Sequence, residues 1–284
     1  MTPLPSRPPR TYQDGALSHA VTSELGRLQA LETARDATTI DLIERLEPRR
    51  DWHCLELGAG AGSIARWLAT RCPLGQVTAT DLDTRFLSGD LPPHLHVVRH
   101  DVTRDTFPDG TFDLIHARAL LVHLPDRDQV LKRAAQWLRP GGWLIVEDPD
   151  VFPVESSPNA LFKQVALGGA QLLAATIGTD LRWPRTMPAP LTTAGLVNPG
   201  LHIAVGTVGD GAPDDALWRA TFDQVRMAMT QHGLLAADDA ARLDRLLDQP
   251  DFLDVCLAFV SSWAQRPAIS TSRSAGVRID HGAS

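Results

Sequence analysis

The stretch Trp52-His53-Cys54-Leu55-Glu56-Leu57-Gly58-Ala59-Gly60-Ala61-Gly62-Ser63-Ile64-Ala65-Arg66-Trp67-Leu68-Ala69-Thr70 decides the fold of this chain. Trp52 to Leu57 reads as a short strand and Ser63 to Thr70 as a helix, with an alternating glycine and alanine turn between them. Glycine there permits a positive φ and lets the backbone come close to a ligand. The helix that follows presents unpaired N–H groups at its first turn. A glycine loop alone separates few functions, because the same pattern marks dinucleotide sites.

Working outward, the segment before the turn has a helical rhythm. Leu25, Leu28, Leu31, Ile40, Ile43 and Leu46 recur at roughly helical spacing from Ser23 to Leu46, and Pro48 stops the run. After the turn, strands are expected at Gln76–Thr80, ending on Asp81, and at His94–Val98, Phe112–His116 and Trp143–Glu147. A helix from Arg127 to Leu138, closed by Arg139-Pro140-Gly141-Gly142, separates the last two. Strands alternating with helices imply a mainly parallel sheet, and right-handed crossovers place helices on both faces. Beyond Pro149 the pattern loosens into helices at Asn159–Ile177, Trp183–Ala194, Asp214–Gln231 and Ala236–Leu247 and strands at His202–Val208 and Phe252–Trp263. The first ten residues are Pro- and Arg-rich, and the tail from Pro267 is rich in Ser, Arg and Gly; both ends are expected to be loose.

Composition narrows the function classes. The 284 residues are 43% hydrophobic and 21% charged, the balance of a globular chain. A net charge of −7 with scattered basic residues lacks the cationic stripe that a phosphate backbone requires, so a nucleic-acid partner is not expected. No apolar run is read as approaching the ~18 residues of a membrane span, and the opening MTPLPSRPPRTYQDG has no apolar signal region, so a cytoplasmic protein is expected. Cys54, Cys72 and Cys256 lack CxxC spacing and read as small buried thiols. His94 and His96 share a strand face without a third ligand, so no metal site is expected.

Two carboxylates sharpen the reading of the glycine turn. Asp81 ends the second strand, where a carboxylate accepts hydrogen bonds from ribose hydroxyls. Asp101 follows the third strand in His100-Asp101-Val102, where it can accept from an adenine amino group. With Glu56-x-Gly58-x-Gly60-x-Gly62, the FDLIHA strand and the LRPGGWLIVED strand, these residues resemble the successive motifs of class I S-adenosylmethionine-dependent methyltransferases of the small-molecule, natural-product type. The resemblance covers about residues 30–150. It implies a three-layer Rossmann-like α/β/α fold with a seven-stranded sheet in the order 3-2-1-4-5-7-6, strand 7 antiparallel. It also implies the cofactor S-adenosyl-L-methionine. Gly58, Ala59, Gly60 and Gly62 would wrap its methionine and ribose, Asp81 would bind the ribose, Leu82 would flank the adenine, and Asp101 with Val102 would read its edge. Glu56 and the carbonyl near Ala117 would position the methionine end. A dinucleotide enzyme fits less well, since Ser63 stands where its fingerprint wants Gly or Ala and a pyrophosphate would occupy the helix terminus.

The chain then divides into an N-terminal arm and lid helix at 1–30, with Tyr12 and the Glu24/Arg27 stretch near the methionine end, and a cofactor-binding core at 31–150. Substrate-cap helices and the last two strands occupy 151–265, before a flexible tail at 266–284. The catalytic candidates are His123, on the segment after the fourth strand, and Asp148, at the end of the fifth. A histidine suits general-base work because its ordinary pKa lies near neutrality. The cap carries Phe152, Phe162, Leu172, Leu173, Trp183, Met187, Trp218, Phe222, Met227 and Met229, which suits a small, largely hydrophobic acceptor methylated at O, N or C. Such a cap can double as a homodimer surface. The alternative on the same fold is a cyclase or rearrangement enzyme that keeps S-adenosylmethionine without transferring its methyl group. Protein and nucleic-acid methyltransferases usually add recognition elements or acceptor motifs, such as an Asn-Pro-Pro-Tyr-type loop after strand 4, where this chain has Ala117-Arg118-Ala119-Leu120.

Overall fold

The computed structural model describes residues 15–268. Tyr12 and the tail from residue 269 on lie outside the described residues. Strands β1 (His53–Leu57), β2 (Gln76–Asp81), β3 (Leu95–Arg99), β4 (Phe112–Arg118), β5 (Leu138–Asp150), β6 (Val197–Val208) and β7 (Asp254–Gln265) form one sheet in the order 3-2-1-4-5-7-6. β1 pairs in parallel with both β2 and β4, β4 in parallel with β5, and β7 runs antiparallel to β5 and β6. This is the sheet implied by the resemblance.

The central strands are buried on both faces and are correspondingly apolar. Leu55, Leu57, Leu114, Ile115, Leu144 and Ile145 are all within a percent or so of full burial. One layer is made by α1 (Glu24–Glu44) and α2 (Ser63–Arg71), whose Leu42, Ile43, Ile64 and Leu68 share a cluster with Cys54, Val77 and Ile145. The other side holds α3 (Arg127–Trp137), whose Val130, Leu131 and Trp137 pack with Leu55, Ile115 and Leu144. Burying a large side chain of this kind stabilises by roughly 1.5–3 kcal/mol.

The later half differs from the periodicity in its boundaries. β5 runs to Asp150, three residues past the expected end, because its ladder with β7 continues through Asp148↔Val260 and Asp150↔Ala258. β6 begins at Val197, since it is an edge strand that pairs only with β7 and needs no two-sided burial to form. After β5 come the short helix α4 (Phe152–Glu155) and then α5 (Ala160–Ile177), capped by the Asn159 side chain accepting from the Phe162 N–H and closed by Gly178 at φ 77°. The expected 183–194 helix is a short turn at 184–186 followed by α6 (Pro188–Thr193), shortened because prolines interrupt it. α7 (Pro213–Gln231) and α8 (Ala237–Leu247) complete the cap.

α5 corrects the reading that no apolar run reaches the length of a membrane span: by length and composition it is apolar enough to cross one. In the fold its Phe162, Val165, Leu172, Leu173 and Ile177 pack in the cap cluster with Trp218, Phe222 and Met229 of α7 and Leu243 and Leu247 of α8. The cap therefore has its own apolar core, next to that of the sheet.

The approach to β2 tolerates no side chain. A Cβ at Gly75 would lie 1.9 Å from the Trp52 carbonyl oxygen, backbone that cannot rotate away. Gly75→Ala is expected to destabilise the protein by about 2 kcal/mol or more and to lower its thermal midpoint by about 5 °C, measured by calorimetry or circular dichroism.

Candidate active site

The strand–turn–helix stretch forms the floor of an open cleft of about 1020 Å³, including the space at its mouth. Gly58, Gly60 and Gly62 adopt φ of 65°, 56° and 89°. A Cβ at Gly58 would press on the Leu120 side chain at 3.1 Å, and one at Gly60 on Leu28 at 3.3 Å. The turn is therefore both left-handed and closely covered, which requires glycine. The Ala59 N–H donates to the Thr80 carbonyl at 2.8 Å, and the Gly60 N–H donates to Asp81 Oδ2 at 3.0 Å. Asp81 is thus held against the turn, with its Oδ1 accepting from the Asp83 N–H. Burial raises its pKa above the usual carboxylate value, against the pull of His19 and of the surrounding N–H groups.

Most of the residues singled out from the sequence meet in this cleft. Glu56, Gly58, Ala59, Gly60, Asp81, Leu82, Asp101, Val102 and His123 line it. Asp101 Oδ1 accepts from the N–H and hydroxyl of Thr103, which fixes the carboxylate at the far end. Three others stand elsewhere. Gly62 turns the chain into α2, where a Cβ would meet Leu87 at 2.7 Å, and it does not line the cleft. Ala117 is enclosed in β4 between Leu57 and Val146, so the cleft wall is made one and two residues later by Arg118 and Ala119, the latter at φ 52°. Asp148 lines neither this cleft nor the cap cavity. Because β5 continues past it, its side chain is buried and its Oδ2 accepts from the Val122 N–H at 3.2 Å. Burial pushes its pKa well above the usual carboxylate range. It holds the 120–123 turn and does not line the cleft, so as a catalytic candidate it is corrected to a residue that orients His123 and does not face the nucleophile.

His123 stands at a junction. Together with Arg27, Leu31 and Ala119 it lines both the cleft and a second, mostly apolar cavity of about 1030 Å³ under the cap. Its Nδ1 is 2.8 Å from the Thr179 hydroxyl. Burial, reinforced by the positive charges of Arg27 and Arg127, lowers its pKa to about 3, so the ring is neutral at physiological pH. Of the cap residues read from the sequence, Leu173, Trp218, Phe222 and Met229 line this cavity. Phe162 and Leu172 are buried in the packing of the cap, Trp183 and Met187 pack on the sheet side, Phe152 lies under the Arg185 guanidinium, and Met227 is exposed.

The sequence reading gave a role to Glu56 but none to the two residues it is joined with, His116 and Glu147. His116 Nδ1 lies 2.8 Å from Glu56 Oε2, and its Nε2 lies 2.9 Å from Glu147 Oε2. Glu147 in turn accepts from the hydroxyls of Thr39 and Ser261, both at 2.6 Å. Arg118 donates to Thr39 Oγ1 and to Asp36. Burial alone would lower the His116 pKa, but the charge of Glu56 and the ring's hydrogen bonds to both carboxylates outweigh it and raise the value to about 9. Glu147, also disfavoured as an anion by burial, is lowered to about 2 by its bonds to His116, Ser261 and Thr39. A usable signal was present: a His and a Glu inside otherwise apolar strands, with His116 directly across the ladder from Glu56. Helix α1 spans the boundary at residue 30 drawn between lid and core, and its Leu28, Leu31 and Glu32 together form a cleft wall, with Glu32 accepting from the Ser63 N–H at 3.0 Å.

Residues 55–146 match the family model described as a methyltransferase domain. That stretch holds the glycine turn and four of the sheet's strands, β1 to β4, with the start of β5. Over part of its length the chain is similar to Methyltransferase str2 of Strobilurus tenacellus, 39% identical over 97 residues that make up 34% of this chain and 35% of that protein. Methyltransferase GfsG of Streptomyces halstedii is 32% identical over 128 residues, 43% of this chain and 46% of the relative. The matches thus span between a third and a half of these relatives' lengths. Among solved structures, Haemonchus contortus phosphoethanolamine N-methyltransferase 2 in complex with S-adenosyl-L-methionine shares the fold at a TM-score of 0.58 and 15% identity, covering 91% of this chain and 60% of that one. The YcgJ protein of Bacillus subtilis does so at 0.53 and 16%, covering 82% and 99%.

The Glu56–His116–Glu147 line makes the stability of this fold depend on pH. Because the folded His116 pKa of about 9 exceeds its ordinary value of 6.5, the charged ring stabilises in full below about pH 6.5. That contribution, on the order of 3 kcal/mol, is lost as pH rises through 9. Urea unfolding between pH 6 and 10 is expected to show this fall, and His116→Gln is expected to be less stable at pH 6 with a flatter profile.

Proposed function

We propose that this chain transfers the methyl group of S-adenosyl-L-methionine to an O, N or C nucleophile of a small, largely hydrophobic molecule of the secondary-metabolite kind. The observation that carries the reading is the meeting of two cavities at Arg27, Leu31, Ala119 and His123, one with a glycine floor and carboxylates and the other apolar. The fit of the cleft to an adenosyl sulfonium rests on the left-handed turn that any Cβ would fill and on Asp81 fixed beside it. Glu56, Gly58, Ala59 and Gly60 would hold the methionine and ribose portions, Asp81 the ribose, and Leu82, Asp101 and Val102 the adenine. When bound, the cofactor supplies a methyl group already activated by its positively charged sulfur.

The protein's own work is then positioning. Holding the acceptor atom about 3–3.5 Å from the methyl carbon, in line with the bond that breaks, is worth roughly 7–11 kcal/mol of the barrier. The apolar cap residues exclude water and orient the acceptor, and His123 faces its nucleophile. With a pKa of about 3, full protonation of His123 is unfavourable near neutrality, so its neutral ring orients the nucleophile's proton rather than storing it. Asp148 acts at one remove, by holding the Val122 N–H and so the turn that carries His123.

Gly60→Arg is expected to abolish binding of S-adenosylhomocysteine by calorimetry, because any side chain there must displace Leu28 from a left-handed turn. His123→Ala is expected to leave that binding within about twofold and to lower kcat by about tenfold or more, with no break in the wild-type kcat profile between pH 5 and 8. In a panel of apolar phenols, amines and enols, mass spectrometry is expected to show a product heavier by one CH2. A product of unchanged mass would instead identify the rearrangement enzyme.

A further inference from the structure

The cap cavity is apolar along α5 and α7, but the side facing α1 is not. Arg35 of α1 lines it and is 95% buried, its relative exposure being 5%. The guanidinium pairs with Asp214 of α7 and lies over the Phe259 ring of β7, 4.7 Å from its centroid. Asp214, Phe259 and the neighbouring Cys256 all line the same cavity, so the head group is part of its wall. Its Nε–H has no hydrogen-bond partner among the described residues. A buried donor left without an acceptor costs about 1–3 kcal/mol, and more on a charged group, which a protein retains at a site where something else completes the bond.

Resting on the methyl-transfer reading, we infer that the acceptor molecule carries a neutral carbonyl oxygen (ketone, ester, lactone or amide) on its apolar frame, and that the Arg35 Nε–H recognises it. Charge bookkeeping selects the neutral oxygen over a carboxylate. The two arginines of the cavity already have carboxylate partners, Arg27 with Glu24 and Arg35 with Asp214. His123 adds no positive charge, and Glu147 places a further buried anion near Arg35 that Arg118 only balances. An anionic ligand would enter a wall whose positive charge is already paired, whereas a carbonyl needs only the Arg35 Nε–H, which has no partner among the described residues. The apolar remainder of the molecule then lies against Leu173, Trp218, Phe222 and Met229.

The test is a binding series on the full chain with S-adenosylhomocysteine present, so that its outcome does not depend on turnover. Three ligands of one shape are compared by calorimetry: acetonaphthone, isopropylnaphthalene and naphthoate. Acetonaphthone is expected to bind about tenfold tighter than isopropylnaphthalene, the worth of one hydrogen bond from a charged donor, and tighter than naphthoate. Arg35→Lys keeps a cation beside Asp214 and removes the Nε–H, so the ketone's advantage is expected to fall to about twofold while isopropylnaphthalene binds as before. Should Arg35→Lys not fold, the double change Arg35→Met with Asp214→Leu removes both charges together, an exchange that buried ion pairs tolerate, and the same loss is expected. Equal binding of ketone and hydrocarbon, a ketone preference that survives either variant, tighter binding of naphthoate, or no binding of any of the three would overturn the inference. A failed methyl-transfer reading shows separately, as no mass gain in any acceptor, and leaves this series readable.

Discussion

The line of buried charge from Glu56 through His116 to Glu147 is the constraint on which the site depends. It joins β1, β4 and β5 at their carboxyl ends, and through Ser261 and Thr39 it reaches β7 and α1. Two carboxylates without the ring between them would repel in a region with no water to screen them. With the ring protonated they share one positive charge, and an excess of negative charge stays at the cleft wall where Glu56 is exposed to a ligand. That excess suits a ligand carrying an ammonium and a sulfonium. The raised His116 pKa is what remains of the attraction between ring and carboxylates after the cost of burying the ions.

The same line explains why α1 is more than a cover. Thr39 bonds Glu147, Asp36 bonds Arg118 and the Ser63 hydroxyl, and Glu32 takes the first N–H of α2. One face of the helix is thereby fixed to the sheet and to the start of α2. Its Leu28 then lies on Gly60, and Arg27, Leu31 and Arg35 face the cap cavity. One helix sets the wall of both cavities and the width of the passage between them. His123 completes that passage from the opposite side, held by the turn that Asp148 anchors.

Neutrality at the junction and charge behind it have a common cause. Both His116 and His123 are buried, and burial lowers the pKa of each. His116 touches two carboxylates and ends well above its ordinary value, whereas His123 meets a hydroxyl and nearby guanidinium groups and ends well below it. Two histidines seven residues apart in sequence are thus set to opposite charge by the partners the fold brings to them.

Sequence alone determined what local pattern controls: the strand, the glycine turn and the helix behind it, the carboxylates at Asp81 and Asp101, and the sheet whose order followed from a recognisable succession of motifs. These are legible because a turn that needs positive φ and a strand that is buried on both faces restrict residue type at each position. The tertiary structure decided what depends on partners far apart in the chain. Asp148 could be read as a strand tip only until β7, more than a hundred residues later, extended β5 past it. Ala117 gave way to Arg118 and Ala119 because the ladder on both sides encloses it. His116 acquired its charge from Glu56 and Glu147, and Arg35 its place in the cap from α7 and β7. Burial and electrostatics are properties of an assembled neighbourhood, and one-dimensional spacing does not carry them.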